Sequence, residues 1–138
     1  MRNISDMPGI QPELRAYLTD IEGALNGNVV MIITPETVGS ATTVTERTVS
    51  VEIQNAAGDV LEWVNTAIAS IVSKTDVTDG DGSSTINSTT LTLVNGVGSV
   101  VVTYADTWAA DDTQTVTIGD IVLAGVTVTG GTSVDTIV

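Results

Sequence analysis

The sequence predicts a mainly β protein: an antiparallel β-sandwich of about seven strands preceded by a short N-terminal α-helix. Three observations predict it. Threonine and valine, both β-branched and suited to a pleated strand, dominate the chain from Asn28 onward. Apolar and polar residues alternate with period two. The clearest case is "RTVSVEIQ", where Val49, Val51 and Ile53 point one way and Thr48, Ser50, Glu52 and Gln54 the other. Turn signals recur at roughly 8–12-residue spacing, as in a sandwich of short strands. Strands of a parallel sheet would instead read as apolar on both faces.

The helix comes first. In "IQPELRAYLTDIEGALNGN", Pro12 suits a first helical turn and Glu13 a positive helix end. Gly27 follows the last apolar residue as a stop signal. Leu14, Leu18, Ile21 and Leu25 recur at spacings of four, three and four, one stripe of a helix over about 12–26. So short a helix is marginal alone in water and needs a surface to cover it.

The strands follow. "VVMIIT" is a short, fully apolar run, and "RTVSVEIQ" is the alternating strand already described. "NAAGD" is a turn with Gly58 at positive φ. "AIASIVS" (Ala67–Ser73) reads as a strand and "KTDVTDGDGSS" as a loop. "TTLTLVNGVGSVVVTY" is strand, turn and strand about Asn95-Gly96. Leu91 and Leu93 share one face, and Val100, Val102 and Tyr104 share a face of the return strand. "TWAADD" interrupts the pattern, and "TQTVTIG" and "VLAGVTVT" resume it. "TSVDTIV" is a last short strand or a docking peptide. Two units are expected: an N-terminal anchor segment, residues 1–40, holding the helix and first strand, and a β-sandwich domain, residues 41–138.

Composition excludes several function classes. Seventeen acids face four bases, for a net charge of −13, and the bases Arg2, Arg15, Arg47 and Lys74 are scattered. Displacing counterions from phosphates needs clustered cations, so neither nucleic acid nor an anionic membrane is an expected partner. With no cysteine and no histidine, disulfides, thiolate metal sites and the Ser-His-Asp and Cys-His arrangements are ruled out. No stretch reaches the roughly 20 apolar residues of a membrane helix. The start, "MRNISDMPGIQPEL", lacks a signal-peptide apolar run, so a chain made without a cleaved leader is expected. No cofactor and no enzymatic activity are expected.

Three features could carry chemistry. Asp76, Asp79 and Asp81 form an acidic, glycine-containing loop, the candidate for an oxygen-rich cation site. The twelfth position from Asp79 is Thr90 rather than a bidentate glutamate, so the loop reads as a solvated turn and no metal is assigned. Asp111 and Asp112 are adjacent and read as a turn. Trp108 reads as a cap on the open end of the core, with contact to a glycan as the alternative; Trp63 reads the same way. The helix stripe is either a core face or a partner face.

"ERTVSVEIQNAAGDVLEW", "STTLTLVNGVGSVVVTYADTWAADDTQTVTI" and "GVTVTGGTSVDTIV" resemble the immunoglobulin-like modules attached to virion proteins of tailed bacteriophages. The resemblance covers roughly Thr45 to Val138 and consists of strand-and-turn patterns, which bacterial surface modules share in part. It implies an immunoglobulin-like sandwich without enzymatic activity that decorates a capsid, a head fibre or a tail. The partner implied is the major capsid protein or another virion protein, with the chain on the capsid surface after assembly in the host cytoplasm. Trimerisation on the shell is the oligomer it suggests, although the helix is far shorter than a head-fibre stalk. Residues 1–40 would then be the anchor, with Leu14, Tyr17, Leu18, Ile21 and Leu25 as its contacts. The rival expectations are a glycan- or host-surface-binding module using Trp108, and a bacterial surface adhesin domain.

Overall fold

A computed structural model describes residues 12–25, 28–35, 45–105 and 107–138. The protein is mainly β and its sheets are antiparallel, as the alternation predicts. Among the described residues one helix, α1 (Pro12–Leu25), precedes ten strands: β1 (Val29–Pro35), β2 (Glu46–Asn55), β3 (Thr66–Val77), β4 (Ser84–Ile86) and β5 (Thr90–Leu93), then β6 (Val97–Tyr104), β7 (Thr113–Ile118), β8 (Ile121–Leu123), β9 (Val126–Val128) and β10 (Gly131–Thr136). The expected seven is short by three-residue strands such as β4, β8 and β9, too brief for an alternation to register.

The strands form two four-stranded sheets, ordered β1-β2-β6-β4 and β10-β7-β3-β5, and a β8-β9 ribbon. The arrangement is sandwich-like. Val49, Val51 and Ile53 of β2 and Val100, Val102 and Tyr104 of β6 share one buried cluster with Val72, Leu91, Leu93, Val116 and Ile118 of the other sheet. These are the inward positions of each alternation, and full burial of such a side chain contributes about 1.5–3 kcal/mol. β1 pairs along its whole length with β2, from Val29 opposite Asn55 to Pro35 opposite Val49. The apolar run "VVMIIT" is therefore an edge strand, with Val29 buried and Val30 and Ile32 exposed on its outer side.

Two sequence expectations need correction. β3 does not end at Ser73; it continues to Val77, because β7 supplies partners through Val77 opposite Thr113. Asp76 therefore lies in a strand rather than a loop. "VLAGVTVT" is two strands, folded back at Ala124 and Gly125, whose φ values are 49° and 82°. The Asn95-Gly96 turn does form, with φ values of 51° and 78° as a type I′ turn requires, and Val94 and Val97 exchange hydrogen bonds of 2.8 and 3.1 Å. Its arms then part: β5 joins β3 in one sheet, and β6 joins β2 and β4 in the other.

That turn is packed as well as hydrogen-bonded. Gly96 N donates to Val64 O at 2.9 Å, Gly96 O accepts from Ile53 N at 2.9 Å, and Asn95 N donates to the Asn65 side-chain oxygen at 2.7 Å. A Cβ on Gly96 would stand 2.6 Å from Leu61 O, so both φ and space require glycine here.

The outer face of the second sheet is regular. β7 turns Thr113, Thr115 and Thr117 outward between the buried Gln114, Val116 and Ile118. On β3 their partners are Val77, Thr75 and Ser73. On β10 they are Thr136, Val134 and Thr132.

Candidate functional site

The N-terminal stripe lies on α1 as its spacing predicts, within one residue of the expected end. Leu14 is 50% exposed, and Leu18 and Ile21 are half-buried. The side chains of Tyr17 and Leu25 lie outside the described residues. Although α1 approaches β2, no described side chain of the helix belongs to the buried core cluster.

Trp108 sits at the opposite extreme, only 2% exposed. Its ring meets Tyr104 edge-on, with centroids 4.8 Å apart and planes at 90°, and its indole N–H donates to Ser83 O at 3.0 Å. The ring is thus out of solvent's reach with its polar edge already bonded, which weighs against stacking on a sugar. Trp63 is partly buried and packs against the core cluster.

The acidic residues do not converge. Asp76 accepts from Lys74 Nζ at 2.6 Å, from Ser84 N at 2.9 Å and from Ser84 Oγ at 2.7 Å. Burial opposes its ionisation and is the largest single influence. The Lys74 and Ser84 hydrogen bonds and the Lys74 charge together outweigh it, so the carboxyl titrates below its ordinary 3.8. Asp79 and Asp81 are exposed. Asp79 takes part through its backbone N–H, which donates to Asp112 Oδ1 at 3.1 Å. Among the described residues no three acidic side chains are grouped so as to hold a metal ion.

Asp112 does more than the turn expected of it. It is buried, and its second oxygen accepts from Ala109 N at 2.8 Å. Asp111 stands at φ 70° with its N–H donating to Ile137 O at 2.8 Å, and Ile137 N returns a bond to Asp112 O at 2.9 Å. The carboxylate and backbone of this pair thus tie three segments together: the loop after β3, the turn before β7 and the last residues of the chain.

Sequence reasoning missed the polar cluster between the sheets. Arg47 of β2 is fully buried. Its Nε donates to Gln114 Oε1 at 3.0 Å and its Nη1 to Ser133 Oγ at 3.0 Å. Nη2 donates to Gln114 O at 3.0 Å and to Gln114 Oε1. Gln114, Ser133 and Asp135 are buried with it. Burial pushes the Tyr104 hydroxyl up to about 12; the Arg47 guanidinium pulls against that rise and Asp135 adds to it. The signal was present in the alternation. Arg47 shares parity with Val49, Gln114 with Val116, and Ser133 and Asp135 with Ile137.

Chemically, this cluster holds layers together. Its donors and acceptors face one another across the interior, and the guanidinium is spent on Gln114 and Ser133. Of the acidic groups elsewhere, Asp76 is tied to Ser84 and Lys74, and Asp112 to the N–H groups of Asp79 and Ala109. What remains on the outside is surface: the α1 stripe, the β1 edge and the threonine face. Comparison with protein-family models, with curated proteins and with solved structures finds no match to this chain.

Proposed function

We propose that this chain is a non-enzymatic structural accessory protein of a phage virion, an immunoglobulin-like module displayed on the capsid surface and held there by its N-terminal segment. Strand order supports the immunoglobulin-like part. The first sheet follows the A-B-E-D order of that fold as β1-β2-β6-β4, and β10-β7-β3 follows G-F-C, all antiparallel. β5 is an addition beside the C position. The Arg47–Gln114 bonds join the B and F strands, the pair that a disulfide bridges in antibody domains.

The observation that carries the anchoring part is the α1 stripe. Leu14 is half exposed and no described helix side chain joins the core, so the stripe has apolar surface left to bury. A specific interface needs about 800 Å² per partner, which a four-turn helix can supply only with flanking chain. Repeated contacts on a lattice of identical subunits add avidity. The partner is the major capsid protein or another virion protein, and assembly takes place in the host cytoplasm. The acidic surface keeps decorated particles apart.

Co-sedimentation with purified virions tests the reading. The full chain is expected to pellet with particles, and a chain lacking residues 1–27, or carrying Leu14→Asp and Leu18→Asp, is expected to stay in the supernatant. Retention of the truncated chain on particles would refute the anchor.

A further inference from the structure

The outer face of the β10-β7-β3 sheet carries no charge. Its nine strand positions, three rows across three strands, are six threonines, one serine and two valines. An ordinary surface that is about 25–35% charged would put two or three charges on nine positions. The chain has a net charge of −13, and the other sheet turns Glu46 and Glu52 outward on β2. Val77 and Val134 on this neutral face are 62% and 56% exposed. Asp111 and Asp120 stand just outside the two ends of β7, at its rim.

We propose that this face is the contact surface for a second copy of the chain, two sheets packing face to face about a twofold axis. Copies of a strongly acidic protein repel, and they approach most closely where carboxylates are confined to the rim of the contact, here Asp111 and Asp120, which salt can screen. Here a patch without carboxylates is presented identically by both partners, as a self-complementary twofold interface requires. A cationic partner would choose the carboxylate-bearing surface instead. A glycan would want an aromatic platform, and the nine positions include no aromatic. With the axis along β7, β3 of one copy lies over β10 of the other. Val77 is then one residue pair from Val134 of the second copy, and the threonine methyls interleave between them.

Three strands at about 4.8 Å spacing and about 3.3 Å per residue give a face of roughly 200–300 Å². That is well below the ~800 Å² per partner of a stable complex, so the association is weak and concentration-driven. It concerns the chain in solution and stands whether or not the chain binds a capsid.

Analytical ultracentrifugation of the full chain tests it, from about 10 μM to about 1 mM at low salt and at high salt that shortens the screening length to a few ångströms. The average mass should climb from 14.2 kDa toward twice that value, and should climb further at high salt, where repulsion is screened. Thr115→Glu, at the centre of the face, and Val134→Glu, at an exposed position, should each abolish the climb, with folding confirmed by circular dichroism. Ser99→Glu, exposed on the other sheet, should leave it intact. A monomer throughout at high salt overturns the proposal. So does loss of association in Ser99→Glu equal to that in Thr115→Glu.

Discussion

Arg47 Nε donates to Gln114 Oε1 at 3.0 Å across the interior, joining strands 67 positions apart in the chain. The bond links the central strands of opposite sheets, and it determines what the two substitutions at this site should do.

Gln114→Leu removes the side-chain acceptor of a buried guanidinium, which keeps Gln114 O and Ser133 Oγ, and should cost about 1.5–3 kcal/mol. Arg47→Met takes the donors from Gln114 and Ser133, about 1–3 kcal/mol each, and removes the cation from beside the buried Asp135. The double variant should be less destabilised than the sum of the two. Urea unfolding of all four proteins reads the coupling, and strict additivity would show that the pair does not act as one unit.

Trp108 separates two contributions. Trp108→Ala should lose about 3–5 kcal/mol through the vacated space beside Tyr104. Trp108→Phe keeps a ring but drops the bond to Ser83 O, which still accepts from Ala105 N at 2.9 Å, so the loss should be smaller, about 0.5–1.5 kcal/mol for the one hydrogen bond. In a Trp63→Phe background, Trp108 emission should be blue-shifted; emission near that of free tryptophan would contradict its burial.

Two titrating groups predict opposite pH limits. Asp76 titrates below 3.8 when folded, so its stabilisation is present above about pH 4 and fades as acid protonates it; Asp76→Asn should flatten that acid limb. Tyr104 is raised to about 12 from 10.0. Between those values the unfolded chain ionises first, so stability falls as pH rises through that window, and Tyr104→Phe should remove that fall. Melting temperature against pH measures both.

One position is set for a gain. Ala124 stands at φ 49°, where an L-residue with a Cβ is strained by about 1–2 kcal/mol. It is followed by Gly125 in a two-residue turn, the setting that favours Asn-Gly. Ala124→Asn should raise stability by roughly 0.5–1 kcal/mol, measured as a higher urea midpoint.

Strand parity made much of this architecture readable. Val49, Val51, Ile53, Val100 and Val102 fall inward as their spacing demands. The Asn95-Gly96 turn and the helix from Pro12 were equally plain, because each rests on local chemistry. Three-residue strands were not readable, since so short a run makes no pattern. The extension of β3 to Val77 depends on a partner 36 residues away, which no window contains. Arg47 was readable by parity but looked like one of four scattered cations. Its burial is acceptable only because Gln114 and Ser133 arrive from the opposite sheet.

The parting of β5 and β6 after Asn95-Gly96 has a kinetic consequence. Closing a loop between layers is entropically costly when the loop is long. Here the connection between layers is three residues, Val94 to Gly96, held by its own hydrogen bonds. A chain that forms this turn early has one strand of each layer already at the other's side, and later pairings add to a nucleus that spans both. Gly96→Ala should therefore slow refolding about as much as it lowers stability, whereas a substitution in the distant β8-β9 ribbon should mainly speed unfolding.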